Sequence, residues 1–155
     1  MTDLKLRASV SYLEKAIESL IAQGEAEDAV DQTELEHFFT PKIEDFDACL
    51  YARQLSVPAG LTFTGKLHRH PHIVSLIKGK MAIVTEDGRK VVSAPHTWAA
   101  PAGSKRAFHA LEDSVLLNVH ITTVEDEDLD KLEEEVIAPS YTSLGLQEPN
   151  FKLLE

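Results

Sequence analysis

His68-Arg69-His70-Pro71-His72 sets three imidazoles at alternate positions, between one run of strand-forming residues and the next. Side chains at i and i+2 of an extended strand share a face. Neutral imidazole binds Zn, Fe, Ni and Cu, so two histidines at this spacing can hold one ion. A straight strand cannot use all three. At about 3.3 Å per residue, His68 and His72 would stand about 13 Å apart, whereas metal–nitrogen bonds are about 2 Å long. Pro71 lacks a ladder donor and favours an edge or a bend. The chain is therefore expected to fold back there, with His72 opening the next strand and the three rings converging.

Outward from this motif the texture is β-like from Ala48 onward. Short segments rich in strand formers occupy residues 50–57, 61–70, 72–78, 80–85, 89–93, 97–100, 105–111 and 115–122. Turn residues separate them: Pro58-Ala59-Gly60, Pro71, Gly79, Asp87-Gly88, Pro95, Pro101-Ala102-Gly103 and Glu112-Asp113. Asp-Gly between alternating segments is a strong hairpin signal. Closely spaced short strands argue for a sandwich or barrel rather than an α/β sheet.

The flanks differ. Residues 3–23 read as a helix with Leu6, Val10, Leu13, Ile17 and Leu20 in a narrow seam, ended by Gly24. Such a seam fits self-association or packing on the chain's own barrel, and periodicity does not separate the two. Residues 25–47 are acidic and read as mostly irregular, with one apolar patch at Phe38-Phe39. Thr122-Thr123-Val124-Glu125 has the form of a capping box. It would open a short acidic helix to about Ile137 with Leu129, Leu132 and Val136 on one face, stopped by Pro139. The tail keeps Tyr141, Leu144, Leu146, Phe151, Leu153 and Leu154. That many apolar side chains imply docking, on the chain's own domain or as an arm on a neighbouring subunit. The organisation is thus residues 1–47 as helix and acidic linker, 48–123 as the β-domain, and 124–155 as short helix and arm.

Composition narrows the function classes. The 155 residues are 43% apolar, enough for one core. A formal net charge of -11 argues against nucleic acid or an anionic membrane as partner. Cys49 is the only cysteine, so no internal disulfide is expected. No apolar run approaches the roughly 20 residues that span a bilayer, and residues 1–7 lack the form of a secretion signal. A cytoplasmic protein is expected. No GxSxG, Walker loop or HExxH is present. Glu86 and Asp87 belong to a turn, and Cys49 has no nucleophile context.

Two stretches resemble the motifs of the cupin superfamily. Val57-Pro58-Ala59-Gly60 through His68-Arg69-His70 and on to Leu76-Ile77-Lys78-Gly79 resembles the first motif. Trp98 to Asp113, with Pro101-Ala102-Gly103, Arg106 and His109, resembles the second. The likeness covers about residues 48–123 and is nearest to small uncharacterised cupin-like proteins of tailed phages. It implies an all-β core, the double-stranded β-helix or jelly-roll barrel, with an N-terminal helix and a short C-terminal helix plus tail. It says little about activity, because the fold hosts many functions. This chain departs from the motifs at two positions. His72 stands where the family usually has Glu or Gln, and Arg106 stands where a ligand histidine is usual, with His109 three residues later.

The jelly-roll pairing implied by the resemblance puts the first, eighth, third and sixth strands in one sheet and the second, seventh, fourth and fifth in the other. His120, at the end of the eighth, then lies near His72. Arg106 reaches the same mouth, and His109 sits farther along its strand on the opposite face. The expected metal ligands are therefore His68, His70, His72 and His120, with His109 a weaker candidate. Arg106 would bind an anionic ligand. The cofactor would be one divalent transition metal, with Zn, Fe, Ni and Mn undistinguished. One expected function is a metal-binding cupin acting on a small anionic molecule. The competing one is a phage structural or assembly protein, a homo-oligomer held by the N-terminal helix and C-terminal arm, with virion proteins as partners. A metabolite- or metal-sensing module is a weaker third, since no DNA-binding helix pattern or basic patch is present.

Overall fold

A computed structural model describes residues 3–24, 29–85, 88–125 and 128–154. Helix α1 (Asp3–Ala22) and the short α2 (Ala29–Gln32) precede nine strands. These are β1 (Glu34–Phe39), β2 (Cys49–Val57), β3 (Thr62–Thr64), β4 (His72–Lys78), β5 (Lys80–Thr85), β6 (Gly88–Ser93), β7 (His96–Ala100), β8 (Ala107–Ala110) and β9 (Ser114–Thr122). Helix α3 (Leu129–Val136) and two 3-10 turns close the chain. All strand pairs are antiparallel and form two sheets, ordered β1-β2-β9-β4-β7 and β3-β8-β5-β6. Apart from β1, this is the jelly-roll pairing expected above.

Period-two alternation sets the core. On β2, Tyr51, Leu55 and Val57 point inward; on β9, Ser114, Leu116 and His120 do the same. Of these, Leu55, Val57 and Leu116 share one core with Phe63, Met81, Ile83, Val92 and Phe108 of the opposite sheet. At about 25 cal/mol per Å² of apolar surface, this burial is the main source of stability.

Strand β1 lies in the segment expected to be irregular. Its alternation was present in Glu34-Leu35-Glu36-His37-Phe38-Phe39, but two glutamates on the outer positions disguised it. Leu35, His37 and Phe39 are half-buried while Glu34 and Glu36 stay in solvent, as suits an edge strand. The expected strand at 61–70 is shorter. Only Thr62–Thr64 pairs as a strand, and residues 65–71 form a loop whose backbone bonds go to loop and helix-end partners instead.

Both flanks pack on the barrel. Leu6 and Val10 are buried against Ala107, with Leu13 and Val84 alongside. Val84 and Ala107 are ladder partners on the outer face of the four-stranded sheet, so part of the α1 seam covers that face. The tail docks on α1. Arg7 donates to the Gln147 carbonyl at 3.1 Å and lies 5.1 Å over the Tyr141 ring, and Lys15 lies 4.6 Å over Phe151. The capping box does not form. Asp128 caps α3 instead, its Oδ1 accepting from Lys131 N at 3.2 Å. Thr123 donates from its backbone N and hydroxyl to Glu135 at 2.7 and 2.6 Å, which pins the strand end to the far end of the helix. Of the Asp87-Gly88 turn, Asp87 lies outside the described residues, while β5 and β6 pair as far as Thr85 and Gly88. Among the described residues no helix is long and apolar enough to cross a membrane.

Gly79, between β4 and β5, has φ +89°, and a Cβ there would lie 2.5 Å from the Asp113 carbonyl oxygen and 2.7 Å from Ser114 Cα. Backbone cannot give way as a side chain end can. Gly79→Ala is expected to lower unfolding free energy by roughly 3 kcal/mol or more. Gly145→Ala, at φ +70° with open space around it, should cost about 1 kcal/mol. Urea titrations of the two variants check the difference; equal losses would mean that the contact with residues 113–114 is not what demands glycine.

Candidate metal centre

Three elements bring three imidazoles together. His72 opens β4 and His120 lies near the end of β9. The ladder between these strands pairs Ile73 with Val119, which sets His72 beside His120 on the inward face. Each is only 6% exposed. His68 arrives from the loop. Its N–H donates to the Ser104 carbonyl at 3.3 Å, its carbonyl accepts from Gly103 N at 2.8 Å, and it bridges Ile137 after α3. Arg69 N donates to the Val136 carbonyl, and Arg69 Nε to the Ile137 carbonyl, both at 2.9 Å. The chain thus folds back between His68 and His72, and their ring centroids are 4.2 Å apart. His120 is 5.3 Å from His68 and 4.6 Å from His72 by the same measure.

The donor set suits a transition metal. The ligand nitrogens of His68, His72 and His120 all lie within 4.8 Å of one another. Three nitrogens bonded to one ion at about 2.1 Å lie about 3 to 4 Å apart, so the cluster is within about 1 Å of that spacing. The rings are also in the protonation state that ligates. Burial, then the neighbouring His72 and His120, push His68 down to about 3. Burial, then His72 and Arg53, bring His120 to about 4. Burial lowers His72 too.

Aromatic packing backs the cluster. The Tyr51 ring stacks on His120 at 6.0 Å and on His37 at 5.8 Å, with its hydroxyl 2.5 Å from His37 Nδ1. Phe39 closes the other side of Tyr51 at 4.9 Å.

The remaining sequence candidates separate. His70 is exposed and stands outside the cluster; its carbonyl, not its ring, lies 3.4 Å from His72 Nδ1. Arg106, half-buried just before β8, lines the cavity beside the histidines. His109 lies one strand turn farther on, its Nδ1 2.6 Å from the Thr62 hydroxyl, and does not reach that cavity.

The cavity has a volume of about 150 Å³. Leu55, Phe63, Val74, Trp98, Phe108 and Leu116 form its apolar wall, and Arg53, Asn118, Lys66 and Lys105 join Arg106 as its polar groups. Arg53 and Asn118 were not among the sequence candidates. Their signal is a register, Arg53 opposite Asn118, and a register is invisible until the strands are paired.

No protein-family model matches the sequence, and no curated protein matches it. Solved structures do match. KdgF from Halomonas sp. is similar with a TM-score of 0.50 and 19% identity, over 66% of this chain and 88% of that one. Salicylate 1,2-dioxygenase from Pseudoaminobacter salicylatoxidans gives 0.50 and 10%, over 81% of this chain; the chain spans 33% of that enzyme. A cupin superfamily protein from Desulfitobacterium hafniense gives 0.48 and 12%, over 63% and 84%. The fold is the cupin jelly roll. At these identities the likeness is one of architecture.

Because the three folded-state values lie below 6.5, the unfolded chain takes up protons that the folded cluster resists. The sign is fixed: stability is full above pH 6.5 and falls as the pH drops toward 4 and then 3. Urea midpoints of metal-free protein should fall over that window, and His68→Phe should flatten the fall. An unchanged profile in the variant would show that His68 is not the group responsible.

Proposed function

We propose that this chain binds one divalent transition metal through His68, His72 and His120, and that a small anionic molecule occupies the adjoining cavity. The observation that carries the reading is the convergence of three neutral imidazoles, two buried and His68 half-buried, from three elements at a cavity wall. When bound, the ion would supply Lewis-acid or redox chemistry with coordination positions left for a ligand. Three imidazoles accept Zn, Fe, Ni or Mn. The protein's own part is to keep the rings unprotonated, hold them in place from two strands and a braced loop, and exclude bulk water with the apolar wall.

Charge supports the anionic ligand. The chain is -11 overall, yet the described lining of the cavity holds Arg53, Lys66, Lys105 and Arg106 and no Asp or Glu. Lys66 pairs with Glu133 and Lys105 with Glu14, outside the lining. Elemental analysis of purified, metal-replete protein is expected to find about one equivalent of a divalent metal. His72→Ala and His120→Ala should leave it substoichiometric, and His70→Ala should keep it. Absence of bound metal, or full metal in the His72→Ala/His120→Ala double variant, would overturn the assignment.

A second reading, assembly as a homo-oligomer, has its own support. The outer face of the five-stranded sheet leaves Phe38, Leu50, Ile73 and Ile121 exposed. Leu50 pairs with Ile121, and Phe38, Ala52, Val119 and Ile73 follow one another across four strands. This surface, more than the docked terminal segments, suits a second copy. Light scattering should find a dimer that Ile73→Glu converts to monomer; a wild-type monomer at high concentration rejects it.

A further inference from the structure

We infer that Arg53 and Asn118 form a carboxylate-binding subsite one layer inward of the three histidines. The ligand class is a small monocarboxylic acid with a compact apolar body. This rests on the cavity being a small-molecule site, as proposed above, but not on the metal.

The sheet register builds the subsite. One inward row across the five-stranded sheet runs Tyr51, His120, His72, Ala100. The next, two residues along each strand, runs Arg53, Asn118, Val74, Trp98. The third runs Leu55, Leu116, Leu76, His96. The polar row therefore lies between the histidine row and an apolar floor. Arg53 is close enough to act electrostatically on both His68 and His120.

Arg53 and Asn118 are half-buried and face the cavity. Among the described residues, neither side chain makes a hydrogen bond or ion pair with the protein. A half-buried guanidinium facing a cavity whose described lining holds no Asp or Glu suits an anion. Its planar fork offers two parallel N–H donors to the two oxygens of a carboxylate, and the facing Asn118 amide adds a third donor.

The rest of the space selects the body. A cavity of about 150 Å³ is the size that takes one benzene ring. Its wall of Leu55, Val74, Leu116 and the aromatic rings of Phe63, Trp98 and Phe108 asks for an apolar group. One fork and one amide match a single negative charge better than a phosphate dianion.

Trp98 is the only tryptophan and lies in the cavity wall, so its fluorescence reports occupancy. Full-length, metal-free protein would be titrated with benzoate, with the uncharged benzamide and with inorganic phosphate, then again after loading with Zn. Benzoate should give a saturable change and bind at least tenfold more tightly than benzamide or phosphate. Arg53→Gln and Asn118→Ala should each weaken benzoate, the former by about 10- to 100-fold. If Arg53→Gln does not fold, Arg53→Lys, which keeps the charge and loses the fork, takes its place. Equal binding of benzoate and benzamide, tighter phosphate, no benzoate binding, or an unchanged affinity in the folded Arg53 variant would each overturn the subsite. Since the first titration holds no metal, its failure is separate from a failure of the histidines to bind metal.

Discussion

The backbone bonds that fix the loop at residues 65–71 are the constraint on which this site depends. His72 and His120 come from adjacent strands of one sheet, and any correct β4–β9 register delivers them. His68 does not belong to a ladder. It is held by Ser104 and Gly103 on one side and by Ile137 on the other, while Arg69 ties the same turn to the end of α3. Loops held this way keep a ligand in place only as well as their supports do. The C-terminal helix is thus a brace for the cluster. Its buried Leu132 and Val136 pack on Tyr51, the ring that stacks on His120, so one short helix steadies the histidines from both sides.

Separation of charge follows the same architecture. The described lining of the cavity holds four cations and no Asp or Glu, in a chain of net charge -11. Glu14 links the two regions. From α1 it accepts from the Thr64 hydroxyl at 3.1 Å and from Lys105 at 2.6 Å. The apolar docking of Leu6 and Val10 on the four-stranded sheet sets the position of α1, and this ion pair then ties it to the cavity rim. Lys105 is largely shielded, so the pair is worth more than a fully exposed one.

The strands from β2 onward were legible because their alternation is carried by Val, Ile and Leu between Gly and Pro turns. Strand β1 alternates as regularly, but Glu34 and Glu36 made it read as linker, since an edge strand can afford charge on its open side. The seam of α1 was legible as a seam, and its use was not: a stripe of that width fits a partner helix or a sheet, and only the positions of Ala107 and Val84 decide. Within the site, the bend at Pro71 followed from arithmetic on strand rise. The converse inference, that alternate histidines share a face, assumed that residues 68–70 are extended. They form a turn, which leaves His70 in solvent while its neighbours converge.

His70 sharpens what a histidine-rich stretch can tell. Alternation is evidence for a shared face only where a ladder enforces it. Here the ladder begins at His72, and the residues before it owe their directions to tertiary bonds. What sets the candidate ligands apart from His70 is burial. The three converging rings lose water and so stay neutral, whereas His70 is exposed and stands outside the cluster. The strand register finds Arg53 and Asn118, half-buried polar side chains turned toward the cavity. In this barrel the strand pairing turns His72, His120, Arg53 and Asn118 inward, while loop bonds deliver His68 to the same cavity.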